Sequence, residues 1–255
     1  ITPKDTTVIP GGAAYFGALA ASRLMHRVGL VTKVGDDYDT SVLGSKINTD
    51  GVKIVSGGKT ARSTQTYFSE SDPTDRNVSI EWGVAALLEG RDIPDDWLNF
   101  LKIIHIATMI PAQQFAILEY VRKNAPQTKI SIDTDSFLLT DPNNLAIIIK
   151  SFEQSDIVFA NRREYDTLGK TIDQIPEAVV KLDKDGALYI QKGIVVERSS
   201  AEEVDAVDVT GAGDVFAGTF LACLAMNWSK KSALEEAVRI ATRSITKKGI
   251  LHIFE

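Results

Sequence analysis

Asp208-Val209-Thr210-Gly211-Ala212-Gly213-Asp214 runs directly into residues 215–226, a stretch of apolar and small side chains. Such a run predicts a buried helix of about three turns with Asp214 at its N-terminus. Gly211, Ala212 and Gly213 carry almost no side chain. Their backbone N–H groups can therefore approach a ligand closely, where the helix dipole favours negative charge. The turn reads as an anion hole. A carboxylate in the same turn repels a bound anion, but it has a use if Asp214 takes a proton from a hydroxyl while the amides hold a phosphoryl group. The combination points to phosphoryl transfer. The plainer alternative is a glycine-rich turn in which Asp214 is only a helix cap. A dinucleotide-binding turn is set aside, because glycines at 211, 213 and 218 do not follow the G-x-G-x-x-G spacing and too little chain follows for a βαβ unit.

Working outward, Ile- and Val-rich strands are expected at 28–34, 103–107, 129–133, 156–160 and 178–182. They alternate with helices at 13–25, 40–50, 111–124 and 141–152, another starting after Asn161, and a last one at 230–248 capped by Ser229. The pattern predicts an α/β fold: a mainly parallel sheet with helices on both faces. Ligands of such sheets bind beyond the carboxyl ends of strands, where Asp133, Asp135, Asn161 and Glu164 fall. Pro10-Gly11-Gly12 opens the first helix, and its paired glycines serve either as a plain turn or as a close backbone approach to substrate. Residues 52–82 have a different texture, with polar residues interleaved among Thr, Tyr, Phe and Val and a break at Ser71-Asp72-Pro73-Thr74-Asp75. They predict a hairpin with strands near 64–69 and 77–80, a small β lid or a subunit contact. A second hairpin is expected over 187–198, turning at Lys192-Gly193. With no repeat or linker, residues 1–255 read as one domain carrying the lid.

Bulk properties narrow the field. A chain of 255 residues with 44% hydrophobic and 24% charged content is that of a globular domain with a substantial core. Net charge of −6 argues against nucleic acid as the main partner. Cys223 lies within the apolar run and reads as a packed small hydrophobe. His26, His105 and His252 lack metal-ligand spacing, so zinc is not expected. Apolar runs fall short of a membrane span and no signal peptide opens the chain, which begins with Ile; a cytoplasmic location is expected.

The pattern resembles the ribokinase-like (PfkB) carbohydrate kinase family from Pro10 to Gly249, on the strength of the signature D-x-T-G-A-G-D at residues 208–214. The resemblance implies that Asp214 is the catalytic base and that the amides of Gly211, Ala212 and Gly213 receive the transferred phosphoryl group. It implies that Asp208 and the Thr210 carbonyl match positions holding a monovalent cation such as K+ in several members. Asn161 and Glu164 match N-x-x-E, which organises Mg2+ and the ATP phosphates through water. Lys184-Asp185-Gly186 matches the end of the nucleotide-facing loop, Gly11 and Gly12 the sugar-side signature, and Val34-Gly35-Asp36-Asp37 a second block of that half.

Three departures bear on substrate. Phe16 stands where ribokinases have a polar Asn, and Pro10-Gly11-Gly12-Ala13-Ala14-Tyr15-Phe16 is instead similar to the archaeal inositol and nucleoside kinase-like branch. Asp183 replaces the usual glycine of the nucleotide loop. The family's first strand, with its substrate-binding Asp, would lie upstream of Ile1. The expected activity is transfer of the γ-phosphoryl group of ATP to a hydroxyl of a sugar, polyol or nucleoside. The alternatives are a catalytically silent nucleotide- or sugar-binding regulator of the same fold, and a kinase for phosphorylated sugars using Arg62 or Arg76. A homodimer through the lid edges is expected, with no membrane or nucleic-acid partner.

Overall fold

In a strand, successive side chains point to opposite faces, so a strand buried on both faces must be apolar throughout. Strands β5 (Ile103–Ile106), β6 (Lys129–Ile132), β7 (Ile157–Asn161) and β8 (Glu177–Lys181) meet that condition over most of their length and pair in parallel. Strands β9 (Ala187–Gln191) and β10 (Ile194–Ser199) extend the sheet as an antiparallel hairpin, giving the order β10-β9-β8-β7-β6-β5. These features belong to a computed structural model of the chain, which describes residues 8–67 and 76–254.

Helices cover both faces. Val158, Ala160, Ala178 and Val180 pack with Leu118, Val121, Ile148, Phe152, Leu168 and Ile172 of α3 (Pro111–Asn124), α4 (Pro142–Glu153) and α5 (Arg162–Ile172). Their strand neighbours Ile157, Phe159 and Val179 face the other way, onto Phe216, Phe220, Leu234 and Val238 of α6 (Ala212–Ala225) and α7 (Lys230–Ser244). Helix α1 (Ala13–Ala21) sits outside α6 and α7, with Tyr15, Phe16 and Leu19 against Val215 and Ile240. Cys223 is fully buried in this layer, as a small hydrophobe should be.

The α1–α6 contact is close because two glycines face each other. A Cβ on Gly218 would collide with the Gly17 carbonyl, so any side chain there pushes α1 off. A short helix α2 (Asp95–Leu98) precedes β5.

One expectation fails. Residues 40–50 do not form a helix: a 3-10 turn covers Thr40–Leu43, and Asn48–Val55 form strand β2, which pairs in parallel with β1 (Gly29–Gly35). Asn48, Thr49 and Asp50 are weak helix formers, and the β-branched Val52, Ile54 and Val55 suit the strand they enter. The inserted ribbon therefore cannot begin at residue 52. It consists of β3 (Arg62–Tyr67) and β4 (Arg76–Glu81), antiparallel in register from Arg62↔Glu81 to Tyr67↔Arg76. The turn expected at Ser71–Asp75, and the last two residues of the strand expected at 64–69, lie outside the described residues. Helices α1 and α7 also end earlier than expected, at Ala21 and Ser244.

Candidate active site

The carboxyl ends of β6, β7 and β8 and the N-termini of α5 and α6 meet in one cluster. On α6, Gly211 is the N-cap residue with φ of 76, a left-handed conformation, and a Cβ there would strike the ring of Phe16. No side chain caps this helix, so its first-turn N–H groups lack partners within it. Of the three amides expected to form the anion hole, that of Ala212 is turned back onto the Val209 carbonyl at 3.3 Å. The amides of Gly211 and Gly213, joined by that of Asp214 itself, carry the reading.

Asp214 lies in the first turn of α6 and is half-buried. Its carboxyl is pushed up to about 7, first by burial and then by the negative charge of Asp133, against the pull of Lys181. A carboxyl near neutrality is matched to proton transfer at physiological pH.

At the next strand end, Asn161 and Glu164 cap α5 reciprocally. The Asn161 side chain accepts from the Glu164 N–H at 3.0 Å, and Glu164 Oε2 accepts from the Asn161 N–H at 2.7 Å. Glu164 Oε1 also accepts from Asn161 Nδ2 at 2.6 Å and from the Ser136 hydroxyl at 3.1 Å. Glu164 is 1% exposed, and burial followed by the charge of Asp133 raises its carboxyl to about 7. With three of its acceptor sites used, this carboxylate suits a hydrated Mg2+ reached through water rather than a directly bonded ion.

Lys181 and Asp133 were not singled out as a pair by sequence reasoning. Lys181 ends β8, and its Nζ lies 2.6 Å from Asp133 Oδ2. A Cβ on Gly213 would sit 3.3 Å from the same Nζ, which puts the ammonium directly under the glycine turn. Burial works against the charge on Lys181, but Asp133, Glu164 and Asp214 together outweigh it and raise its pKa. Burial also pushes the Asp133 carboxyl up, with Lys181 and the Thr134 N–H pulling it back. A signal was present: a lysine closing the apolar strand Ala178-Val179-Val180.

The other expected positions are more peripheral. Lys184 is exposed in the turn after β8, where Asp183 adopts φ of 54, and Gly186 closes that turn against Ser199. Arg162 ties the turn to α5 through Asp185 at 2.6 Å. Gly11 and Gly12 precede α1, and a Cβ on Gly11 would lie 3.0 Å from Phe16. Phe16 thus fills the space between the two glycine turns. Both oxygens of Asp208 accept backbone N–H groups, from Thr210 at 3.0 Å and Gly249 at 3.0 Å. Among the described residues no group of three or more His, Cys, Asp or Glu side chains is arranged to hold a metal. Arg62 lies away from this cluster in the contacts it makes; it lines a cleft of about 250 Å³ with Asp37, Lys59, Thr60 and Glu81.

A family model described as pfkB family carbohydrate kinase matches residues 1–253. The chain belongs to the pfkB family. This pfkB kinase is 29% identical to a cytidine kinase of Thermococcus kodakarensis, over 94% of this chain and 88% of the relative. It is 26% identical to a nucleoside kinase of Methanothermobacter thermautotrophicus, over 94% of this chain and 79% of the relative. Its fold is that of adenosine kinase from Sinorhizobium meliloti, with a TM-score of 0.82 at 22% identity over 94% of this chain and 78% of that one. A fructokinase from Xylella fastidiosa with bound ATP shares it too, with a TM-score of 0.79 at 20% identity, covering 95% of this chain and 86% of that one. Asp183 has a left-handed backbone, a region that Asp tolerates better than most side chains. No helix among the described residues is long and apolar enough to cross a membrane.

Proposed function

We propose that the protein transfers the γ-phosphoryl group of ATP to a hydroxyl of a nucleoside, within the wider class of sugars, polyols and nucleosides that the fold serves. The observation that carries the reaction is Asp214: a carboxyl near neutral pKa in the first turn of a helix whose N-terminal amides are free of side-chain caps. In this reading Asp214 accepts the proton of the attacking hydroxyl. The amides of Gly211 and Gly213 stabilise the charge that develops on the phosphoryl oxygens. Each such donor is worth roughly 3 to 4 kcal/mol of barrier, and a positioned base about 10²- to 10⁴-fold in rate.

The acceptor class rests on two features. The cytidine and nucleoside kinases are similar over nearly the whole chain. At the glycine turns, Phe16 is a buried phenyl ring with no polar group to offer a pentose hydroxyl, which weighs against a plain ribokinase reading. Mg2+, when bound with ATP, neutralises phosphate charge, and Glu164 and Asn161 orient its water shell. The Asp183–Gly186 turn and Lys184 face the nucleotide, and Gly11 and Gly12 the acceptor. Asp208 braces the 210 and 249 loops through two backbone N–H groups, and Asp208 and the Thr210 carbonyl are the positions that match a monovalent-cation site. The β3–β4 ribbon serves as the lid and, through its edges, as a homodimer contact. A reaction that consumes ATP suits the cytoplasm.

The test is ADP release with MgATP across ribose, fructose, myo-inositol, adenosine, cytidine and hydroxymethylpyrimidine. Turnover with a nucleoside at least tenfold above the free sugars supports the reading. Preference for ribose or fructose overturns the acceptor class, and ATP binding without turnover on any of them makes the protein a regulator.

A further inference from the structure

We propose that Lys181 is a positioning residue for phosphoryl transfer: its ammonium, clamped by Asp133 beneath the Gly213 turn, favours the ionised form of the Asp214 carboxyl and adds fixed positive charge behind the anion hole. The inference rests on the reading of Asp214 as the base.

Three carboxyls face this ammonium from three different elements. Asp133 comes from the end of β6, Glu164 from α5 and Asp214 from α6, and Asp135 adds its charge from the loop after β6. Acids thus crowd the N-terminus of α6, and the buried ammonium of Lys181 stands against them. His105 on β5 cannot take that part. Burial, and then the field of Lys181, hold its imidazole neutral down to about 3, and its Nδ1 lies 2.9 Å from the Ser131 hydroxyl. The Lys181 side chain is 16% exposed and that of Asp133 4%, so the pair is shielded from the salt that weakens surface ion pairs. A buried ion pair is poor evidence of added stability, because an apolar pair of the same volume does as well. Its position explains it better: 2.6 Å from Asp133 and under the amides that would receive the phosphoryl group.

The two partners act on Asp214 with opposite signs. Lys181 favours the carboxylate, and Asp133 disfavours it. Carboxyl 13C NMR titration of the free protein, with the Asp214 signal assigned by its loss in Asp214→Asn, reads this without any turnover. In Lys181→Met the Asp214 midpoint should rise by about one pH unit or more, in Asp133→Asn it should fall, and in Lys181→Arg it should stay near the wild-type value. A purely structural pair would lower the melting temperature and leave the midpoint in place; an unmoved midpoint in Lys181→Met overturns the proposal. If Lys181→Met does not fold, the double variant Asp133→Asn with Lys181→Met decides. Its midpoint must exceed that of Asp133→Asn alone, and equality overturns the proposal. The acidic limb of kcat/KM should shift with the NMR midpoints. If the midpoints move and the limb does not, the proposal stands and the reading of Asp214 as the base falls.

Discussion

Asp214 is caught between folding and chemistry. Its ordinary carboxyl value of 3.8 is raised to about 7 in the folded chain. Well below pH 3.8 the group is protonated whether the chain is folded or not, and contributes no penalty. As pH climbs from about 4 to 7 the unfolded chain ionises first and gains on the native state; above 7 the penalty is complete and constant. Asp214→Asn removes it. The variant should therefore melt at nearly the wild-type temperature near pH 4 and several degrees higher at pH 8, reflecting a gain on the order of 2 kcal/mol. Thermal melts across that range check it, and a variant less stable at pH 8 would show that the buried carboxylate is compensated by contacts outside this account. Sequence reasoning reached Asp214 because a carboxylate among small residues at a helix start is conspicuous. It missed the Lys181–Asp133 pair because strand-end residues far apart in the chain meet only once the sheet order is known.

At the scale of elements, α5 and α6 start in different ways, one with its first-turn amides satisfied by side chains and one without. Helix α5 is closed by the reciprocal Asn161–Glu164 cap, while α6 is left uncapped where a ligand is to bind. Glutamine can replace glutamate in such a cap. Near pH 4, where the Glu164 carboxyl is neutral in the folded chain, Glu164→Gln should therefore melt within about 0.5 kcal/mol of the wild type, whereas Glu164→Ala should lose roughly 1 to 2 kcal/mol. If chemical denaturation at that pH finds both variants equally damaged, the carboxyl itself and not the cap holds that helix end. The seating of α6 depends on Gly218 against Gly17. Gly218→Ala should cost about 1 to 3 kcal/mol and displace α1, and with it Phe16, from the Gly211 turn. Unaltered stability and acceptor KM would refute that coupling. Helix α6 was legible from its apolar run. The strand at 48–55 was not, because its pairing with β1 is a long-range fact and the polar residues at its start resemble a helix end.

For the molecule as a whole, alternation of buried strands with helices was enough to foresee the layered sheet, since each strand apolar on both faces demands cover on both. What alternation could not supply was the convergence. Asp133, Asn161, Glu164, Lys181 and Asp214 come from five elements, and the four charged ones among them share one electrostatic field, visible as mutual shifts of their ionisation. That field disfavours a general anion trap and, in the proposed reaction, suits Asp214 to proton transfer near neutral pH. The decisive measurement is single-turnover phosphoryl transfer from MgATP to the best nucleoside acceptor, in the wild type and in Asp214→Asn, with ATP binding measured alongside. The account predicts a fall of about 10²- to 10⁴-fold in the transfer step, with ATP affinity retained and the wild-type rate rising through pH of about 7. Transfer within threefold of wild type by Asp214→Asn would contradict it.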